Sequence, residues 1–375
     1  MSDELSVERS IDEEWMSRCL DLASKAEGRT APNPMVGAVI LNKAGKLVGE
    51  GYHKRAGTAH AEKIALAMAG VKARGGTLYT NLEPCNHLAN RRTSPCTPLL
   101  LDAGIKRLVV GQADPIRAHA GGAAWLAKRG VEVTRRVLES SCKELNRAFN
   151  TWAKMGRPLF VLKVAASLDG RIATNTGESQ WITGKAARAD GHRLRSKLDG
   201  ILVGVETVLA DDPRLTARGR GSRDPMRIVL DSQLRTPVHS KLLPANCKSK
   251  ARVLIVGTES APEDRANALE ICGAEVLRLP AVKKRPCLKA LGEHLAERGI
   301  TSVLVEGGAS VHSSFLAADL CDELRLYLAP IVIGGQGKTW LGGEGITSLA
   351  DATRLRWTGD PIRLGQDTLL LARRR

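Results

Sequence analysis

Apolar runs separated by polar, helix-period stretches recur along the whole chain. In its first part "MVGAVIL" at 35–41, "GTLYTNLE" at 76–83 and "KRLVVGQ" at 106–112 read as buried strands. Between them lie segments such as "TAHAEKIALAMAG" at 58–70, where Ile64, Ala65, Leu66, Met68 and Ala69 suit the buried face of a helix. This alternation predicts a largely parallel sheet covered by helices. A helix is predicted around Ser140 to Ala153, after which Gly156 and Pro158 in "KMGRPLF" stop it and begin a new extended run. The domain boundary is placed there, giving residues 1–155 and 156–375. Beyond it "LFVLKVA", "GILVGV", "MRIVLD", "ARVLIVG", "AEVLRL", "TSVLVEG" and "ELRLYLAPIVIG" read as strands, with helices between several of them. Both halves are expected to be α/β.

Composition narrows the class. A chain of 375 residues exceeds one average domain, and 43% hydrophobic with 26% charged residues is the balance of a protein with a sizeable core rather than of a disordered one. No run has the apolar length of a membrane span, and the acidic start "MSDELSVERSIDEE" has neither the basic region nor the apolar core of a signal peptide. The expected location is cytoplasmic. Eight scattered cysteines are too sparse for a disulfide framework, so a close pair reads as a metal or catalytic site, and Cys85 with Cys96 is the pair to weigh.

The net charge of +16, from 56 basic and 40 acidic residues, favours anionic partners. Nucleic acid is one such partner, but only 3 Phe and 3 Tyr are present as stacking platforms, and the basic residues are scattered apart from Arg373 to Arg375. A phosphorylated small substrate suits the charge equally well, and so does a solvated basic surface.

Candidate chemistry concentrates at the polar triplet that opens the helix at 58–70. His60 at the first turn can ligate a metal while Glu62 reaches a water on it; alternatively Glu62 only complements the helix dipole. The stretch "LEPCNHLANRRTSPC" at 82–96 weighs towards the first reading. There Pro84 predicts a helix start with Cys85 at its N-terminus, and Cys96 can fold back to join it. One imidazole and two thiolates leave zinc's fourth position open, the layout of a catalytic site. Zinc deaminases combine such a ligand set with a glutamate that is not a ligand, using a shorter cysteine spacing. His53 and His87 are read as hydrogen-bonding or packing residues, outside the metal set.

In the second half "VEGGASVHSSF" puts Gly307 and Gly308 at a strand-to-helix turn suited to a phosphate, a weak signal alone. Lys163 inside "LFVLKVA" calls for an anionic partner, Glu306 or a substrate oxygen, and Asp169 with Gly170 reads as a turn.

These motifs, together with "APNPMVGAVI", "GEGYHKRAGTAHAE", "LKVAASLDGRIAT", "GESQWITG", "GVETVLADDPRLT" and "VLDSQ", resemble the bifunctional riboflavin-biosynthesis deaminase–reductase family, RibD, in order and spacing over nearly the whole chain. The resemblance implies a cytidine-deaminase-like three-layer domain followed by a dihydrofolate-reductase-like domain. It implies zinc-dependent hydrolytic deamination of 2,5-diamino-6-ribosylamino-4(3H)-pyrimidinone 5′-phosphate, with Glu62 catalytic and His60, Cys85 and Cys96 holding one zinc per chain. It implies NADPH reduction of the product's ribosyl group to ribityl, with Ala165, Trp181, Thr207, Asp211, Ser232, Gly308, Ala309, Ser310, Val311, His312, Ser313 and Ser314 at the cofactor. Asn33, Asp114, Ser179, Arg195, Leu215, Arg218 and Glu306 would contact substrate, Arg195 and Arg218 as its phosphate clamp. For Asn33 the other reading is a turn residue between two prolines.

Two features depart from the family's pattern: the loop between Cys85 and Cys96 is longer, and Ile116 stands in "ADPIRAHAGG" where the family tends to have asparagine. They support a rival reading, a relative acting on another pyrimidine; a nucleic-acid-editing deaminase is the rival from a different class. The expected partners are a phosphorylated pyrimidine and further copies of the chain, with neither nucleic acid nor membrane.

Overall fold

The structure is a computed structural model that describes residues 2–87, 94–219, 221–343 and 345–374, with side chains from residue 9 onward. Most of the lengthened loop between Cys85 and Cys96, at 88–93, and the terminal Arg375 lie outside the described residues. The chain divides into two compact units, Met1–Gly156 and Arg157–Arg375. Among the described residues no helix is long and apolar enough to cross a membrane.

The first unit runs α1 (Ser2–Ser24), β1 (Gly37–Leu41), β2 (Leu47–Tyr52), α2 (Ala61–Ala69), β3 (Thr77–Leu82), α3 (Cys96–Asp102), β4 (Arg107–Gln112), α4 (Gly122–Ala127), β5 (Glu132–Arg135), α5 (Glu139–Leu145) and α6 (Arg147–Met155). Its sheet has the order β2-β1-β3-β4-β5. The expected, largely parallel sheet is in fact mixed: β1 is antiparallel to β2 and β3, and only β3, β4 and β5 run parallel. The cause is a short return after β1, where the Asn42 carbonyl oxygen of the side chain accepts from Ala44 N and Lys46 N at 3.0 Å each and Gly45 takes φ 72°. A hairpin of that length can join only antiparallel strands.

Strand β2, "LVGEGY", escapes the apolar pattern because glycines occupy the positions that face α2. A Cβ at Gly49 would meet Ala65 O at 2.2 Å and one at Gly51 would meet Ile64 Cγ2 at 2.6 Å. Alternation along the other strands builds two faces. Ala38, Ile40, Leu78, Leu108 and Val110 pack with Ala61, Ala65, Leu100 and Leu126, while Val39, Leu41, Tyr79 and Val109 pack with Met16, Cys19, Leu22 and Cys142. Helices on both faces make three layers.

Two helix expectations need correction. The helix around Ser140 to Ala153 is two helices, α5 and α6, broken at Asn146. The Asn146 side chain is drawn away to the backbone of Met35, accepting from its N at 2.8 Å and donating to its O at 2.9 Å. Nor does a helix begin at Cys85: Pro84 to His87 are not helical, and α3 begins at Cys96, behind Pro95.

The second unit contains β6 (Leu159–Ser167), β7 (Arg171–Ala173), α7 (Lys185–Lys197), β8 (Gly200–Gly204), α8 (Val205–Asp211), β9 (Met226–Leu230), β10 (Val253–Thr258), α9 (Glu263–Ile271), β11 (Glu275–Leu279), β12 (Ala281–Val282), β13 (Arg285–Pro286), α10 (Leu288–Glu297), β14 (Ser302–Val305), α11 (Ala309–Ala317), β15 (Glu323–Ala329), β16 (Lys338–Thr339), β17 (Leu355–Trp357), β18 (Ile362–Leu364) and β19 (Asp367–Arg374). The main sheet has the order β11-β10-β9-β8-β14-β6-β15-β19-β17, parallel from β11 to β15 and antiparallel beyond. Phe160, Leu162, Leu202, Ile228 and Val303 face Leu291, Leu295 and Phe315, and Ile201, Val203, Val229 and Ile255 face Val208 and Leu269. The predicted run at 323–334 is a strand only to Ala329. Beyond it Ile333 N and Gly334 N donate to the Asp169 carboxylate, which the Ser167 hydroxyl also binds, so the expected turn at Asp169 and Gly170 anchors this segment.

One buried ion pair ties α1 to the first sheet. Asp12 accepts from both terminal nitrogens of Arg107, at 2.9 and 2.8 Å, and from the Tyr79 hydroxyl at 3.0 Å, while only 3% exposed. Removing one partner of such a pair strands the other charge. Asp12→Ala is therefore expected to lower the stability of the full chain by about 3 kcal/mol, read as a shifted urea midpoint; a loss below about 0.5 kcal/mol would show that Arg107 is satisfied by its other neighbours.

Candidate active site

His60 caps the N-terminus of α2 with extended backbone, φ −68° and ψ 158°, and Glu62 lies in the first turn, 4% exposed. The residues that start the helix thus also face the cysteines. His60 Nδ1 is 3.3 Å from Cys96 Sγ and 3.6 Å from Cys85 Sγ, and the three donor atoms lie within 4.8 Å of one another. The Cys96 backbone N–H, at the start of α3, donates to Cys85 Sγ at 3.3 Å. The helix N-terminus that supports the Cys85 thiolate is therefore that of α3.

Electrostatics favour a cation at this point. The hydrogen bond from Cys96 holds the Cys85 thiol well below its ordinary value, with His60 adding to the effect, and the same bond pushes Cys96 up. Two sulfurs sharing one proton beside an imidazole form a donor set that zinc fits by displacing that proton. Burial raises the Glu62 carboxyl, and the charge on Cys85 raises it further. A carboxyl so placed is suited to carry a proton.

The residues around this set are held in turn. His53 Nδ1 lies 3.1 Å from Ala59 O and so carries the proton, which leaves Nε2 to accept from Asn33 Nδ2 at 3.0 Å. Asn33 is thereby oriented, with its side-chain oxygen left as an acceptor. Asp114 instead stabilises its own turn: its carboxylate accepts from Ile116 N at 2.8 Å and lies 3.8 Å from His119 Nδ1. Glu83, which the local sequence does not mark as a site residue, is buried and accepts from Asp114 N and Ala123 N at 3.3 and 3.0 Å. It fixes the turn before Cys85 against α4. His87 is buried with its ring 6.1 Å from that of His119.

The second unit holds a cavity of about 1000 Å³. Ala165, Ser179, Trp181, Thr207, Asp211, Ser232, Glu306, Gly308, Ala309, Ser310, Val311, His312 and Ser314 all line it, which brings most of the expected reductase positions together. Ser313 does not; its hydroxyl exchanges hydrogen bonds with Gly342 N and O. Gly307 allows α11 to close on β14, since a Cβ there would meet Val311 Cβ at 2.4 Å, whereas a Cβ at Gly308 would meet nothing within 4 Å. Open space at a helix start, in a cavity of this size, fits a dinucleotide phosphate.

Three expected substrate contacts sit differently. Arg195 is committed to Glu306 by two hydrogen bonds of 2.8 Å and donates to Thr216 O at 3.2 Å, so it braces a carboxylate. Leu215 is 3% exposed in the core, and Arg218 is exposed outside the cavity lining. Lys163 lies 3.8 Å from Glu306, the partner its position on a strand called for. Burial works against charge on Glu306, yet Arg195 and Lys163 hold its carboxyl down at about 2. Burial, then Arg195 and Arg218, push His192 down to about 4, so the cluster's net positive charge stays on its arginines and lysine.

Known proteins share this two-part design. The family described as the cytidine and deoxycytidylate deaminase zinc-binding region matches residues 9–112, and that described as the RibD C-terminal domain matches residues 158–364. Riboflavin biosynthesis protein RibD of Actinobacillus pleuropneumoniae is 40% identical over 97% of this chain and 96% of its own length, and that of Escherichia coli is 40% identical over 92% and 95%. Among solved structures, RibD of Acinetobacter baumannii aligns with a TM-score of 0.86 at 35% identity, over 98% of this chain and 99% of that one. The diaminohydroxyphosphoribosylaminopyrimidine deaminase/5-amino-6-(5-phosphoribosylamino)uracil reductase of Thermotoga maritima aligns with a TM-score of 0.84 at 32% identity, over 98% and 100%. Matching these relatives almost end to end, with a zinc deaminase region and then a reductase region in one chain, the protein belongs to the RibD family of bifunctional riboflavin-biosynthesis enzymes.

Proposed function

We propose that the first unit deaminates 2,5-diamino-6-ribosylamino-4(3H)-pyrimidinone 5′-phosphate, and that the second reduces the ribosyl group of the product, 5-amino-6-(5-phosphoribosylamino)uracil, to ribityl. The observation that carries the reading is the meeting of His60, Cys85 and Cys96 within 4.8 Å, beside a buried glutamate. The activities in the name of the Thermotoga maritima relative supply the substrate class.

In the deaminase, His60, Cys85 and Cys96 would hold zinc, which supplies Lewis acidity that brings the pKa of water to about 7. Glu62 takes the proton from the attacking water, gives it to the ring nitrogen and then helps the amino group leave as ammonia. Its burial keeps the proton between substrate and carboxyl. Asn33, held by His53, presents an acceptor to the pyrimidine edge. In the reductase, NADPH supplies the hydride. Glu306, kept ionised, offers the sugar an acceptor, while Arg195 braces it and Lys163 puts a cation beside it.

Cys85→Ser and Cys96→Ser should each lose about one equivalent of zinc per chain, measured by plasma mass spectrometry, because one thiolate fewer leaves an inadequate ligand set. Full zinc content in both variants would remove the deaminase reading. Glu62→Gln should keep the metal and lose deamination. For the other reaction, Glu306→Gln strands Arg195 and Lys163 and should lower reductase kcat/KM by about tenfold to a hundredfold while deamination is unchanged. Steady-state assays of each half-reaction separate the two.

A further inference from the structure

Five cationic side chains line the cavity of the second unit: Lys163, Arg188, Arg235, Arg285 and Lys338. Three are answered locally. Lys163 faces Glu306, Arg188 stacks 4.5 Å above the Trp181 ring and donates to Thr183 O at 2.6 Å, and Arg235 is ion-paired with Glu206. Arg285 differs. It donates only to neutral acceptors, the Ser314 hydroxyl at 2.9 Å and Ser310 O at 3.3 Å, and among the described residues no carboxylate lies within ion-pair distance of it.

Its setting is unusual as well. Arg285 opens β13 of a two-stranded hairpin whose turn residues are Lys283 and Lys284, with φ 49° and 64°. A two-residue turn with both φ positive ordinarily takes Asn or Gly, because a side chain is strained there. Lysine at both positions gives up turn stability and places three exposed cations in succession, again with no carboxylate within ion-pair distance of either lysine among the described residues. Strain of this kind is retained where it serves a site.

Position narrows the ligand. The backbone N–H groups at the start of α11, beside the open space at Gly308, suit a pyrophosphate. Arg285 is anchored on the flank of that helix, at Ser310 O and the Ser314 hydroxyl, where it meets acceptors rather than the free N–H groups of the helix start. Next to it Pro286 and Leu288 are buried in the cavity lining, an apolar shelf for an adenine ring. An anion at Arg285 would then belong to the adenosine ribose, and a guanidinium fork matches a phosphate there.

We propose that the Lys283–Lys284–Arg285 tip reads the 2′-phosphate that distinguishes NADPH from NADH, with Arg285 as its hydrogen-bonding group and the two lysines as its surrounding charge. The inference rests on the reading of the second unit as an NADPH reductase. It also names Arg285 rather than Arg235, because Arg235 is already paired with Glu206.

Calorimetric titration of the full-length protein with adenosine 2′,5′-bisphosphate and with AMP isolates this group, since the two probes differ only in the 2′-phosphate. Quenching of tryptophan fluorescence by NADPH and NADH gives the same comparison on the whole cofactor. Arg285→Met should weaken binding of the bisphosphate and NADPH by about tenfold or more and leave AMP and NADH unchanged. Lys283→Met with Lys284→Met should weaken the same two ligands less and flatten their salt dependence. Equal loss for all four ligands in Arg285→Met, or loss of discrimination in Arg235→Met or Lys338→Met in its place, would overturn the assignment. If wild-type protein bound neither NADPH nor the bisphosphate more tightly than NADH and AMP, the NADPH reading itself would fall. Arg285 is exposed, so its variant should melt with the parent, and a melting curve confirms that the comparison is between folded proteins.

Discussion

A carboxylate at the end of a buried parallel strand has to meet its countercharge where it stands, and Glu306 does so through Arg195 from α7 and Lys163 from β6. That requirement organises the middle of the second unit. It brings a helix, two strands and the loop carrying Thr216 to one point and leaves the cluster with a net positive charge. The first unit obeys the same constraint twice, at Asp12 with Arg107 and at the cysteine pair with His60. In each case the group least stable in isolation decides which elements must touch.

Function follows from where those meetings occur. His60 follows β2, Cys85 follows β3, and in the second unit Thr207, Ser232 and Glu306 follow β8, β9 and β14. These are positions where side chains and helix N–H groups converge on open space beyond the sheet. The helices beyond supply both rigidity and part of the chemistry, Glu62 standing on α2 and Cys96 on α3. Glycine marks several of the tightest approaches, as at Gly49 and Gly51 under α2 and at Gly307 under α11.

The reductase cavity also shows how charge can be read by its partners. A chain of +16 offers many cations, and most are uninformative. Once Lys163, Arg188 and Arg235 are matched with their partners, the guanidinium that remains, held only by Ser310 and Ser314, is the one proposed to meet a ligand.

Local pattern was enough to read β1, β3, β4, β6, β8, β9, β10, β11, β14 and β15, because each carries its own apolar alternation or run. It was also enough to single out His60, Glu62, Cys85 and Cys96, since few other uses need that chemistry in that order. Strand β2 was not legible, because its inward residues are glycines chosen by α2, and the sheet's mixed direction depended on the short return at Asn42. Asn146 broke a helix for the sake of Met35, more than a hundred positions earlier. The bond from Arg195 to Glu306 spans more than a hundred positions and left no local sign, and the hairpin carrying Arg285 gave no strand-length signal. The sequence by itself determined the donor atoms, the succession of strands and helices and the division into two units of chemistry. Strand direction, the break at Asn146 and the partner of every buried charge were decided only by the tertiary structure, because each depends on a residue distant in the chain that no local period encodes.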